Sequence, residues 1–227
     1  MPKKIKKIPN VRQIKKDDQG KRKCYPIKNP RQLNDLLYYF LSKREKAKTP
    51  IKEFQAYRNY MLALTGVNTA FRTEDLTQLR VKNVEKGYMA ITENKTGKTQ
   101  NFRLNKVYYQ EVMKYIHKYE LTSSDYLFLG QMKMWNGSAY VLPITRARAY
   151  RIIKQAGDAI GIAFPFSIYS LRKTFGYMWL LAGNNGETLR QMYNHYSYVI
   201  TEEYTMWGTD DAEKARAQRF LGVKAPD

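Results

Sequence analysis

The sequence has one cysteine, two histidines, and only 20 acidic residues against 40 Lys and Arg. Cys24 has no partner for an intrachain disulfide, which makes a reducing compartment the natural setting. His117 sits in KYIHKYE with no acidic cluster or cysteine beside it, so the histidines carry no metal-site signal. A Walker-type loop, a Rossmann glycine fingerprint and zinc-finger spacing are all missing. No apolar run approaches the ~18 residues of a membrane span. The opening MPKKIKKIPNVRQIKK is basic but lacks the apolar region of a secretion signal. The expectation is a protein without cofactor or metal and away from the membrane.

What is present is a chain of 227 residues, 43% of them hydrophobic, enough for one substantial domain with a buried core. Its formal charge of +20 favours a polyanionic partner, because neutralised phosphates release counterions. Charge alone does not separate DNA from RNA or an anionic surface. Residues 1–31 hold twelve Lys/Arg and two Asp, half of the excess charge, and are broken by Pro2, Pro9, Pro26 and Pro30. Residues 1–29 therefore read as a flexible basic arm that contacts a DNA backbone or groove, with a solubilising tail as the bland alternative.

Hydrophobic spacing predicts a mainly α fold with a small antiparallel β-sheet. Asn29 before Pro30 caps a helix through RQLNDLLYYFLSKREK, with Leu33, Leu36, Leu37 and Phe40 on one face. A second helix follows Thr49-Pro50 over about 51–65 and ends at Gly66, and Thr73 caps a short third. The period then changes: Val81, Val84, Tyr88, Ala90 and Ile91 precede the turn NKTGK and the strand TQNFRL. Helices resume over about 106–119, 145–160, 170–182, 187–193 and 197–206, with Thr145 as a cap and Gly161 as a stop. DAEKARAQRFLG forms a last amphipathic segment.

Several residues suit phosphate chemistry. Arg72 and Arg172 offer planar forks that donate two hydrogen bonds to adjacent oxygens. Arg172 is expected in the first turn of a helix, where free N–H groups also favour an anion, and Ala70 and Phe71 tether Arg72 to the fold. Lys95, in the tight turn, reaches over a phosphate to protonate a leaving oxygen, with Lys98 as the rival for that role. Tyr204 is a candidate nucleophile that needs help, since phenol titrates near 10. His195, nine residues before it, can hydrogen-bond a phosphate oxygen or assist proton transfer. Each of these taken singly has an ordinary reading as a surface or core residue.

Together the segments resemble the catalytic domain of the tyrosine recombinases, the phage-integrase family. GVNTAFRTEDLTQLR is similar to the first-arginine segment, with Asp75 three positions after Arg72. ENKTGK resembles the catalytic-lysine hairpin, SIYSLRKTFGYMWLLAG the second-arginine segment, and RQMYNHYSYVITEEYTM the closing segment with histidine and nucleophilic tyrosine. The order holds over roughly residues 30–206. Two positions depart from the family pattern: Tyr169 stands where histidine is usual before Arg172, and Asn194 where glycine is common.

The resemblance implies a catalytic set of Arg72, Lys95, Tyr169, Arg172, His195 and Tyr204. It implies a site-specific DNA recombinase, an integrase or invertase, that cleaves and rejoins duplex DNA through a 3′-phosphotyrosyl intermediate without metal or ATP. Tyr204 attacks, the arginines and His195 stabilise the transition state, and Lys95 protonates the departing 5′-oxygen. The implied partners are double-stranded DNA with specific recombination sites and a homo-tetramer on paired sites, a monomer being the alternative without DNA. An accessory DNA-bending protein is an optional further partner. The implied setting is cytoplasmic and nucleoid-associated, of bacterial, archaeal or viral origin. Residues 207–227 suit docking into a neighbouring subunit or packing on their own domain. With only the arm before the match, the chain resembles a short form like the fimbrial-type invertases, or an isolated catalytic domain. The alternatives are a cleavage-deficient DNA-binding protein of the same fold, motivated by Tyr169, and a type IB topoisomerase-like enzyme.

Overall fold

The computed structural model describes residues 24–135 and 138–217. The expectations for the basic arm up to residue 23 and for the end of the C-terminal segment, 218–227, lie outside the described residues.

Helix α1 (Pro30–Glu45) starts as its sequence directs: the Asn29 side chain accepts from the Arg31 N–H at 2.9 Å, and proline occupies the first turn. Helix α2 (Pro50–Thr69) is capped by Thr49 in the same way. It does not stop at Gly66 as expected. A Cβ on Gly66 would lie 2.7 Å from Leu171 Cδ1, so this glycine permits close helix packing and the helix runs on to Thr69. Ala70 then turns the chain with φ 60°. In α3 (Thr73–Thr77) the cap position belongs to Arg72, and the expected cap, Thr73, is the first helical residue.

A single 3-10 turn at Val81–Asn83 leads into the hairpin β1 (Tyr88–Thr92) and β2 (Thr99–Arg103), antiparallel with Thr92 opposite Thr99. After α4 (Lys106–Lys118) comes a second antiparallel pair, β3 (Leu129–Trp135) and β4 (Ser138–Pro143), in a stretch to which the sequence reading gave no element. Leu129 faces Pro143 and Met132 faces Val141, so Gly130 and Gln131 share the place opposite Leu142 as a bulge. Helices α5 (Arg146–Ala159), α6 (Ile168–Leu181), α7 (Gly186–Tyr193), α8 (Tyr198–Thr205) and α9 (Thr209–Ala217) complete a mainly α fold with two small sheets. Thr145 caps α5 as expected, and Gly161, at φ +74°, turns the chain just past its end.

Helix α2 is central and packs on α1, α4 and α6. Leu36, Phe40, Met61, Leu62, Val112 and Leu171 belong to one buried cluster that unites these helices. Each such side chain contributes about 1.5–3 kcal/mol by leaving water. A smaller cluster of Ala70, Leu180, Leu189 and Tyr193, with Tyr204 and Trp207 against it, seats α7 and α8 on α6. Helix α9 also packs on α6 in its own chain. Asp211 accepts from the Tyr177 hydroxyl at 2.8 Å and from Lys28 Nζ at 2.6 Å, and Lys28 also donates to the Met206 carbonyl at 2.7 Å. The start of the described chain and its last helix are thus fastened to the same element. Among the described residues no helix is long and apolar enough to cross a membrane.

Gly176 on α6 is where this packing is tightest: a Cβ there would lie 2.2 Å from Tyr193 Oη and 2.6 Å from Thr205 Cγ2. For Gly176→Ala, overpacking of about 1–3 kcal/mol outweighs the ~1 kcal/mol that alanine gains over glycine in a helix. Urea unfolding of the variant should show a lowered midpoint, and an unchanged or raised midpoint would contradict this packing.

Candidate active site

Arg72, Lys95, Tyr169, Arg172, His195 and Tyr204 all line one cleft of about 480 Å³. They arrive there from separate elements. Arg72 precedes α3, Lys95 lies in the β1–β2 turn, Tyr169 and Arg172 are on α6, His195 lies between α7 and α8, and Tyr204 is on α8. Lys98, the rival of Lys95, does not line this cleft and instead borders two neighbouring depressions.

The two arginines converge on one main-chain carbonyl. Arg72 Nη2 donates to Tyr193 O at 3.2 Å and Arg172 Nη2 to the same oxygen at 3.0 Å. The Tyr193 hydroxyl returns a bond to Arg172 O at 2.5 Å. Arg172 is buried, and its Nη1 has no hydrogen-bond partner among the described residues. Burial lowers its pKa, yet a guanidinium titrates so high that it keeps its charge. The expectation that Arg172 lies in a first helical turn is corrected: α6 begins at Ile168, so the first turn holds Tyr169 instead. Tyr169 is 49% exposed, and Ser167 and Ser170 cap the helix end beneath it through the bond from Ser167 N–H to Ser170 Oγ at 3.2 Å.

Beneath Arg72 is a carboxylate that the sequence reading did not single out. Glu93 is buried and accepts from Arg72 Nη1 at 2.7 Å, Thr96 Oγ1 at 2.6 Å, Gln100 Nε2 at 2.5 Å and Asn194 Nδ2 at 2.9 Å. Burial alone would push its carboxyl up, but the Thr96 hydroxyl and the charge of Arg72 outweigh that and hold it below the usual range. Asp75, also buried, accepts from the Asn94 N–H at 2.9 Å and so fixes the base of the lysine turn. The only sequence signal for Glu93 is its place as the acid within ENKTGK, two residues before the lysine.

Asn194 ends α7 in the left-handed region at φ 54°. That conformation favours glycine and tolerates asparagine best among the rest. The turn it makes sets His195, whose N–H donates to Arg190 O at 3.1 Å and whose Nδ1 lies 3.0 Å from Thr201 Oγ1. Burial first, then the charges of Arg172, Arg72 and Arg190, depress the imidazole to about 4. The histidine is therefore neutral near pH 7. Tyr204 lies edge-on to both His195 and Tyr193, with ring centroids 5.2 and 5.3 Å away. Lys173 Nζ is 4.8 Å from the Tyr204 ring centre. Burial raises the Tyr204 phenol, and the Arg172 and Arg72 charges act against that rise. Arg146, at the start of α5, adds a further cation to the cleft wall.

The family model described as Phage integrase family matches residues 40–208 of this chain. The chain belongs to that family. It is 29% identical over 198 residues to the probable integrase/recombinase YoeC of Bacillus subtilis (strain 168), a match covering 87% of this chain and 96% of that protein. Among solved structures, the fold is similar to that of XerA recombinase, with a TM-score of 0.64 at 18% identity over 86% of this chain. It is also similar to XerH site-specific recombinase bound to a palindromic difH substrate in a post-cleavage complex, at TM-score 0.63, 20% identity and 88% of this chain. This chain spans 63% and 55% of the lengths of those two structures. At these identities the structural likeness establishes the fold: this integrase-family chain has the architecture of a tyrosine recombinase catalytic domain.

Replacing the buried carboxylate by Glu93→Gln should destabilise the protein by on the order of 1–3 kcal/mol at pH 7, measured by urea unfolding. Because the folded pKa of Glu93 is lowered, its contribution is full above the unfolded value of about 4.3 and fades as pH falls through the folded value. The gap between the two proteins should therefore close on acidification; a gap constant to pH 3 would contradict the assignment. Titration of His195 by NMR should give a pKa about 4. A value near the ordinary 6.5 would mean that the imidazole is not held among the arginines. Since this pKa is depressed, the stability tied to neutral His195 is complete above about 6.5 and is lost as pH falls toward the folded value.

Proposed function

We propose that this chain is a site-specific DNA recombinase that cuts and rejoins duplex DNA through Tyr204. The observation that carries the reading is the convergence of Arg72 and Arg172 on one carbonyl beside Tyr204 and His195, with a buried Arg172 donor that has no partner among the described residues. A phosphodiester satisfies that donor and takes its charge from both forks. Membership of the phage integrase family supports DNA binding and strand cleavage of the tyrosine-recombinase type.

In the proposed step the Tyr204 oxygen attacks phosphorus, its proton passes to water in the cleft, and the bond from phosphorus to the 5′-oxygen breaks. The products are a 3′-phosphotyrosyl link and a 5′-hydroxyl, and Lys95 supplies the proton to that leaving oxygen. Arg72 and Arg172 stabilise the charge that develops on the phosphorane-like transition state. If the Thr201 hydroxyl donates to His195 Nδ1, the ring hydrogen is on Nε2, where it serves a non-bridging oxygen. A 5′-hydroxyl from a partner strand reverses the step, so no external energy is needed. The Tyr169 hydroxyl donates a hydrogen bond to the phosphate from the cleft edge.

Residues 30–206 form the catalytic domain in this reading, the basic arm of residues 1–29 follows the DNA backbone, and the C-terminal segment 207–227 serves docking between subunits. Double-stranded DNA carrying paired recombination sites is the substrate, acted on by a homo-tetramer. Tyr169 also favours a second reading, a DNA-binding member of the fold that cleaves inefficiently.

The deciding experiment incubates the protein with nicked suicide duplexes tiled from DNA flanking its gene. A denaturant-resistant, protease-sensitive adduct that is absent with Tyr204→Phe is expected. Arg172→Ala should reduce its rate at least ~100-fold, the scale for losing one transition-state donor. Tyr169→His should accelerate adduct formation and Tyr169→Phe should slow it. Selective duplex binding with no adduct would favour the cleavage-deficient reading.

A further inference from the structure

A second cationic cleft, of about 600 Å³, lies away from Tyr204 and is lined by Arg58, Lys133, Arg148 and Arg151 with no Asp or Glu among its lining residues. Elsewhere among the described residues surface cations are often paired: Arg44 and Lys118 with Glu53, Lys154 with Asp158, Arg190 with Glu187. None of the four in this cleft has a carboxylate partner among the described residues.

Arg58 is the informative member. It is only 5% exposed, and its bonds go to neutral acceptors: Nη1 to Leu129 O at 2.8 Å, Nε and Nη2 to Asn59 Oδ1 at 3.2 and 2.9 Å. Burial, and to a smaller degree the charge of Arg148, lowers its pKa. A guanidinium buried without a counter-charge is costly, and an anion in the cleft removes that cost. The site is also built rather than incidental. Leu129 stands at the β3 bulge, where a Cβ on Gly130 would lie 2.5 Å from Pro143 O, so the two strands meet closely at the cleft floor.

Helix α5 contributes to this cleft and to the catalytic one. Ala149, Ile152, Ile153 and Ala156 are buried, Arg146 lines the catalytic cleft, and Arg148 and Arg151 line the second. Arg146 and Arg148 are two residues apart, or about 200° around the helix axis. The two cationic clefts thus share helix α5, whose first turn contributes to both.

We propose that this second cleft holds a non-reacting backbone phosphate of the same DNA duplex whose scissile phosphate lies against Arg72 and Arg172. The proposal rests on the recombinase reading above and adds a second anchor, joined to the catalytic cleft through α5, that holds the duplex while Tyr204 reacts. Arg148 and Arg151, both exposed, supply the affinity, and Arg58 supplies the fixed charge behind them.

The test compares the wild-type chain with the double variant Arg148→Ala/Arg151→Ala. Duplex affinity at ~150 mM salt should fall about tenfold or more. The slope of log K against log salt should become shallower by roughly 0.9 for each phosphate that the variant no longer neutralises. Phosphate-ethylation interference should reveal at least one position away from the cleavage point that matters to wild type and not to the variant. Equal salt slopes and identical interference patterns would overturn the proposal, as would loss of inorganic phosphate binding with duplex affinity unchanged. A variant with the shallower slope, alongside a wild type that forms no adduct, would keep this anchor and remove the recombinase reading, whereas wild type that binds no duplex removes both.

Discussion

The buried carboxylate of Glu93 is the constraint on which the site depends. A carboxylate removed from water is costly unless its lone pairs are filled. Here they are filled by donors from the loop before α3, from the hairpin turn and strand, and from the α7–α8 link, the last 101 residues away. Meeting that one requirement draws together three parts of the chain. Arg72 is held from below by Glu93 and from the side by Tyr193 O, so its fork is set before any anion arrives. Arg172 shares the Tyr193 carbonyl, which makes the two guanidiniums a pair of fixed relative geometry. Two cations held together repel, and burying an anion beneath them makes the arrangement tolerable.

The neutral histidine follows from the same arrangement. His195 is depressed because it is buried beside Arg172, Arg72 and Arg190, so it adds no further charge to an already cationic wall. Its position comes from Asn194, whose side chain reports back to Glu93 while its backbone makes the left-handed corner. The departure from glycine at that position is thereby a substitution of one means of turning for another, with an extra hydrogen bond gained. The departure at Tyr169 is of another kind. It changes the chemistry at the cleft edge and leaves the packing below untouched, because the side chain is half exposed.

Much of this was legible in the sequence because the relevant signals are local. Asn29, Thr49 and Thr145 announce their helices, and the tight turn at Lys95 announces its hairpin. The six candidate site residues sit in four short segments whose order survives into one cleft. What escaped was set by contacts across the chain. Gly66 looks like a helix stop until Leu171 is seen against it. The partners of Glu93 are scattered, so nothing near it in sequence marks it as buried. The β3–β4 pair was missed although Asn136-Gly137, flanked by apolar residues, is a strong hairpin dipeptide. The first turn of α6 was misjudged by two residues, which moved the helix end from Arg172 to Tyr169.

One face of α6 carries Tyr169, Arg172 and Gly176 at successive helical turns, and along that line the room for change falls to nothing. Tyr169 stands at the rim with space around it, Arg172 is wedged between two tyrosines, and Gly176 has no space for even a methyl group. Evolutionary tinkering with this helix is therefore graded by depth. New chemistry can be tried at the rim with little risk to folding, while any side chain added at the floor must displace Tyr193 or Thr205.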